Sequence, residues 1–197
     1  MRRKFRQLSW SVPLLTYVAI ADAHLRAAEQ GGFAAGARHP LSGLDHVVAM
    51  VTVGLWGAQL GKPAIWLLPL TFPIVMAIGG FVGLIGVPLP GVEVGIAASA
   101  ILLGAMVLFA VRPPLWLAAM LVASFAVFHG YAHGAELPTG GNELLYSLGF
   151  VVATGFLHGC GVLIGLIHRW PWGQLALQIA GATVASMGAV FLWQALA

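Results

Sequence analysis

The chain has 197 residues, 60% hydrophobic and only 8% charged, with a mean hydropathy of +0.94. A soluble domain carries roughly a quarter charged residues, so this chain lacks the side chains to cover a water-facing surface and reads as an all-α integral membrane protein. The net charge of +3 does not point to nucleic acid, because four of the nine basic residues fall in the first six positions. The single cysteine, Cys160, excludes an intrachain disulfide and a cysteine-built zinc cage.

In chain order, residues 1–23 have the form of a secretory signal. Arg2, Arg3, Lys4 and Arg6 make a basic start, Leu8 to Ala21 is apolar, and Ala21-Asp22-Ala23 has the small-x-small pattern of a cleavage site. The alternative is an uncleaved, short first span. Cleavage after Ala23 would expose His24, whose free amine and imidazole together can chelate a divalent metal; otherwise the terminus has no role. Residues 24–40 read as a short extracytoplasmic lead-in, small and Gly/Ala-rich.

Residues 41–197 read as a six-helix transmembrane domain. Apolar runs at about 41–60, 64–86, 92–111, 114–135, 143–167 and 173–196 each come near the ~20 residues needed to cross hydrocarbon, and Pro or Gly punctuates every break. Lys62, Arg112 and Arg169 lie in the first, third and fifth connections, whereas Glu93, Glu136 and Glu143 flank the second and fourth. Basic connections stay in the cytoplasm, which puts both mature termini in the periplasm and the protein in a bacterial inner membrane. A cleaved signal would deliver the same N-out start. Gly79/Gly83, Gly91/Gly95 and Gly161/Gly165 are spaced for close helix contact. Pro69 and Pro73 predict a kink, which at membrane depth lines a cavity or is covered by protein. The seven tryptophans suit interfacial belts, with Trp170 and Trp172 at the cytoplasmic edge.

The chemistry is concentrated in two stretches. In His39-Pro40-Leu41-Ser42-Gly43-Leu44-Asp45-His46, Pro40 suits a first helical turn. A helix starting there puts His39, Gly43, His46 and Met50 on one face, with Gly43 leaving room between the imidazoles and Asp45 about 100° away. Further on, His129 and His133 are four apart, and Glu136 follows on the same side. The topology sets both stretches in the outer half of the membrane. Imidazole with carboxylate suits nickel, cobalt, copper and zinc, and ionisable groups in a bilayer mark function by default. The bland alternative for any one histidine is a hydrogen bond to a neighbouring helix; the combined set reads as one shared metal site. His158, deeper in the fifth run, reads equally as a second, inner station or as a structural hydrogen bond. Cys160, Met50 and Met106 read as packing, His168 as interfacial, and Glu93 and Glu143 as solvated span ends able to attract cations.

His-Pro-x-x-Gly-x-Asp-His, followed by Val53-Gly54-Leu55-Trp56, resembles the HupE/UreJ family of nickel/cobalt permeases. The resemblance continues in Gly32-Phe33-Ala34-Ala35-Gly36, in Phe128-His129-Gly130-Tyr131-Ala132-His133-Gly134-Ala135-Glu136 and in Leu157-His158-Gly159. It implies uptake of Ni²⁺ or Co²⁺ as substrate, with no permanently bound cofactor and no enzymatic activity. No phosphate-binding loop or ATPase module is present, so transport is facilitated, ion-coupled or dependent on another chain. The expected partners are the lipid bilayer, the metal ion and either a second copy or a metal-accepting protein. Two rivals are weighed against this: a bis-histidine haem electron carrier, and a membrane metallohydrolase built on His129, His133 and Glu136, which lacks a His-Glu-x-x-His pattern.

Overall fold

A computed structural model describes residues 32–135 and 142–197, in which every regular element is helical. The signal-like stretch, His24 and Glu136 lie outside the described residues. The elements are α1 (Phe33–Ser42), α2 (Leu44–Leu60), α3 (Ala64–Leu84), α4 (Val92–Leu108), α5 (Leu115–Ala135), α6 (Glu143–Gly165), a 3₁₀ turn (Leu166–Arg169) and α7 (Pro171–Leu196). Four of these are long and apolar enough to cross a membrane: α3, α5, α6 with its 3₁₀ extension, and α7. The bent pair α1–α2 makes a fifth candidate, and α4 is a shorter apolar helix of 17 residues. At 1.5 Å per residue α4 is roughly 25 Å long, the short end of what a hydrocarbon core of ~30 Å accepts. The outward faces carry Ile74, Ile78, Phe81, Leu163 and Ile179, all exposed. In water such a surface would aggregate; here it is the surface that meets lipid.

The first expected span is altered most. The chain is helical from Phe33, and Pro40 lies inside α1 rather than at a helix start. Proline has no N–H to give to the carbonyl four residues back, and the helix ends two residues later. Gly43 is extended (φ −99°, ψ 118°), and α2 leaves α1 at 86°. His39 and His46 therefore sit on two helices, and the single-face arrangement with Gly43 and Met50 does not form. Pro69 and Pro73, by contrast, are accommodated within a continuous α3.

The helices pair out of sequence order, and glycine decides the pairs. In α3 and α5, a Cβ on Gly79 would strike the Val127 carbonyl, one on Gly83 the Tyr131 carbonyl, one on Gly130 the Met76 carbonyl and one on Gly134 the Gly80 carbonyl. Gly54 faces the His158 carbonyl, while Gly161 and Gly165 meet Val51 and Leu55, joining α2 to α6. Gly104, Gly181 and Gly188 join α4 to α7, and Gly36 and Gly149 join α1 to α6. Backbones in lipid associate by such close van der Waals contact, because apolar side chains gain little by leaving the tails. The Gly79/Gly83 and Gly161/Gly165 pairs are packing motifs as expected. Gly91/Gly95 is not: Gly91 caps α4 in the left-handed region (φ 73°), and Gly95 makes room for the Phe128 ring.

The ends of the bundle differ. One carries Lys62, Arg112 and Arg169, together with the exposed Trp66, Trp116, Trp170 and Trp172, of which the last two stack at 5.8 Å. The other carries Asp45, Glu93 and Glu143. Trp56 departs from the expected belt: it is fully buried, and its indole N–H donates to the Val111 carbonyl at 3.1 Å.

The glycine seams yield a stability prediction. Gly130→Ala drives a methyl into the backbone of α3 and should lower unfolding free energy by about 1–3 kcal/mol, as overpacking does. Gly155→Ala, where a Cβ meets nothing within 4 Å, should leave stability unchanged or raised. Thermal unfolding in detergent checks both, and equal melting of the two variants would contradict the seams.

Candidate functional site

The site lies where the start of α2 meets the last two turns of α5, at the acidic end of the bundle. α2 supplies Asp45 and His46, α5 supplies His129 and His133, and α1 brings His39. The ring centroids of His46 lie 5.1 Å from His129 and 4.4 Å from His133, and that of His39 lies 4.8 Å from His133. Phe150 packs on His133 at 4.4 Å, and Tyr146 lies 5.9 Å from His39. Two stretches some eighty residues apart thus place four imidazoles in one chain of ring contacts, from His39 through His133 and His46 to His129.

Hydrogen bonds decide which ring nitrogens are available. The His129 Nδ1–H donates to the Phe125 carbonyl at 3.0 Å. A carbonyl only accepts, so the proton is on Nδ1 and Nε2 carries a lone pair. His46 Nδ1 lies 3.0 Å from Asp45 Oδ1, and the same logic applies. A carboxylate behind an imidazole fixes its tautomer and orientation, as it does around metal-ligating histidines. Both Nε2 atoms are buried with no hydrogen-bond partner, as are both ring nitrogens of His133. Leaving a buried polar group unmatched costs about 1–3 kcal/mol, so a cluster of such atoms marks a place built to meet a ligand. Gly43 serves this arrangement differently from expectation. A Cβ there would lie 2.7 Å from Asp45 Oδ1 and 3.0 Å from His46 Nδ1, so the room it leaves is taken by the Asp45–His46 pair.

Two cavities flank the cluster. A polar one of about 340 Å³ is lined by Asp45, His46, Glu93 and Gln194. An apolar cleft of about 280 Å³ between α3, α5 and α6 reaches His133 past Pro73 and Phe150. Glu93, read from sequence as a solvated span end, shares its cavity with Asp45 because α4 starts beside α2. Phe72, Tyr146, Phe150 and Gln194 also border the cluster, and nothing in their sequence positions marks them. Aromatic and amide residues in apolar runs carry no spacing signal of their own.

His158 stands apart. The Phe72 ring lies between it and the cluster, 5.5 Å from His129 and 5.3 Å from His158. His158 is buried, neither ring nitrogen has a partner, and Thr154 Oγ1, one turn earlier, is in the same condition. His168 lies at the opposite end, donating Nδ1–H to the Gly165 carbonyl at 2.8 Å. Met50 is core, Met106 packs against it, and Cys160 is half-buried.

Among the described residues, no three His, Cys, Asp or Glu side chains form a ready-made metal cage. The rings touch edge to face instead of converging their nitrogens. Nor do they face one another across a slot that a haem plane could enter. The arrangement is a polar, carboxylate-braced histidine cluster inside an all-helical membrane protein.

A family model described as HupE / UreJ protein matches residues 12–191. Protein HupE of Rhizobium leguminosarum bv. viciae is 42% identical over 189 residues, covering 96% of this chain and 98% of the relative. No solved structure matches the chain. The chain belongs to the HupE/UreJ family, a transporter-type family associated with nickel and cobalt rather than a family of enzymes.

The tautomer assignment is directly measurable. Nitrogen-15 spectra of histidine-labelled protein should show His129 protonated on Nδ1 and bare on Nε2 near neutral pH. An Nε2–H tautomer for His129 would remove the basis for its role as a lone-pair donor.

Proposed function

We propose that this protein takes up Ni²⁺ or Co²⁺ across the bacterial inner membrane, passing the ion through the cluster of His39, Asp45, His46, His129 and His133. The observation that carries this reading is the pair of buried Nε2 atoms, on His46 and His129, each held as a lone-pair donor by a hydrogen bond on the other nitrogen and neither having a partner. Imidazole with carboxylate suits these ions, and a cluster that among the described residues forms no closed cage fits transit, where a site must bind well enough to select and weakly enough to release.

In this mechanism the cation enters through the cavity lined by Asp45 and Glu93, whose carboxylates raise its local concentration. His46, braced by Asp45, takes it first. Rotation of the His129 and His133 rings out of their edge contacts brings further lone pairs onto the ion. Glu136, three residues beyond His133 in sequence, and His24, the residue exposed by cleavage after Ala23, supply further ligands to the ion. The ion then moves past Phe72 to His158, which with Thr154 forms an inner station, and leaves at the basic end. Transport is facilitated or ion-coupled.

The six helices α2 to α7 are the spans, α4 crossing where the bilayer thins. Lys62, Arg112 and Arg169 face the cytoplasm, and the chain is cleaved after Ala23, leaving both termini in the periplasm. A C-terminal reporter active only in the cytoplasm should be silent, and intact mass should begin at His24. A bright reporter would reverse the direction of the pathway.

Uptake of radiolabelled Ni²⁺ and Co²⁺ by cells lacking their own importers tests the site. His46→Ala and His133→Ala should each cut accumulation at limiting metal by at least tenfold, a loss of about 1.4 kcal/mol or more in binding terms. Asp45→Asn keeps the shape but loses the charge and should cost 10- to 100-fold, as second-shell changes do. Ser124→Ala, on the same helix but bonded only to the Met120 carbonyl, should transport like the parent. Parental uptake by His46→Ala and His133→Ala at normal expression would end the shared-site reading.

A further inference from the structure

At the basic end, opposite the histidines, a third cavity of about 180 Å³ is lined by Gln59, Ala110, Arg112, His168, Gln174 and Gln178. Its lining contains one permanent cation and three side-chain amides, and no carboxylate. Asp45, Glu93 and Glu143 are all at the far end of the bundle. Among the described residues, Arg112 has no ion-pair partner. Gln59 borders the same cavity; it is only 7% exposed, and its Oε1 is buried without a hydrogen-bond partner. That oxygen is an acceptor and would meet a water or another donor; the part of Gln59 that can serve an anion is its Nε2 amide.

The backbone is shaped to hold Arg112 there. α4 ends in a Schellman turn, the Ala110 N–H donating to the Val107 carbonyl at 3.2 Å and the Val111 N–H to the Met106 carbonyl at 2.9 Å. The residue at the left-handed position is Ala110, with φ 48°, where α3 uses Gly86 in the same motif at φ 71°. An alanine in this region is strained by roughly 1–2 kcal/mol. The turn persists because the buried Trp56 indole holds the Val111 carbonyl. Arg112 follows directly.

Trp66, Trp116, Trp170 and Trp172 are exposed around this same end, the pattern of an aromatic belt at headgroup level. Guanidinium with amide donors matches the oxygens of a phosphate group, and basic pockets between helices at this depth suit lipid headgroups. We infer that this cavity is a binding site for a phosphate group, held by the Arg112 charge and the amides of Gln59, Gln174 and Gln178, and that its position favours an anionic phospholipid headgroup over a soluble phosphate. The site is separate from the metal pathway and does not rest on it.

Native mass spectrometry of the detergent-purified full chain tests it, titrating dioleoyl phosphatidylglycerol, dioleoyl phosphatidylcholine and inorganic phosphate. One phosphatidylglycerol should bind per chain, at least tenfold tighter than phosphatidylcholine. Arg112→Gln should weaken that binding at least tenfold and Arg112→Lys less. Gln59→Leu should weaken it several-fold with the melting temperature of the lipid-free protein as a folding control. Arg169→Gln, which removes a cation at the same end but outside the cavity, should have little effect. Arg112-dependent binding of inorganic phosphate, without a phosphatidylglycerol preference, would assign the site to a soluble phosphate and keep its chemistry. Binding insensitive to Arg112→Gln, or lost equally in Arg169→Gln, would overturn the inference.

Discussion

The architecture depends on backbone-to-backbone contact at glycine. Lipid tails are as apolar as leucine, so burying a leucine between two helices in a bilayer gains little, and what remains is how closely two backbones can approach. The α3–α5 seam, built from Gly79, Gly83, Gly130 and Gly134, sets the height and rotation of α5. Gly54, Gly161 and Gly165 do the same for α2 and α6. Because Gly130 and Gly134 each directly follow a cluster histidine, the residues that press α5 onto α3 also fix the direction in which His129 and His133 project. Packing and site are one construction.

That construction keeps polar atoms where they are costly. The unmatched nitrogens of His46, His129, His133 and His158 all lie in the interior. A stability-driven core would have replaced them with leucine or phenylalanine, since apolar substitutes for buried polar networks are often neutral or better. Their retention beside a cavity that carries Asp45 and Glu93 is what separates this interior from an ordinary helical core. Phe72, wedged between His129 and His158, divides it into an outer cluster and a single inner imidazole.

The charge distribution follows the same axis. Asp45, Glu93 and Glu143 gather at the histidine end, which also holds Arg38 and Trp193, while Lys62, Arg112, Arg169 and the exposed Trp66, Trp116, Trp170 and Trp172 gather at the other. A divalent cation would therefore meet an attractive field at one end and a repulsive one at the other. The cavity around Arg112 suits an anion for the converse reason.

The helical membrane class, the helical runs, the sign of each end and the histidine-bearing stretches were all legible in the sequence. These follow from local composition: apolar run length, Pro/Gly punctuation and residue spacing along one helix. The family could likewise be read from short motifs, and the match over residues 12–191 bears it out. Tertiary structure alone decided that Pro40 sits inside α1 and that the chain turns 86° at Gly43, since a proline is equally at home opening a helix and nearing the end of one. It also decided that His39 and His46 meet through His133 instead of along one face, that Gly43 shelters the Asp45–His46 pair, and that Gly91 caps where Gly161 packs. Spacing within one stretch specifies which side chains share a face. Which faces touch depends on contacts between glycines and carbonyls far apart in the chain, and no local pattern encodes those.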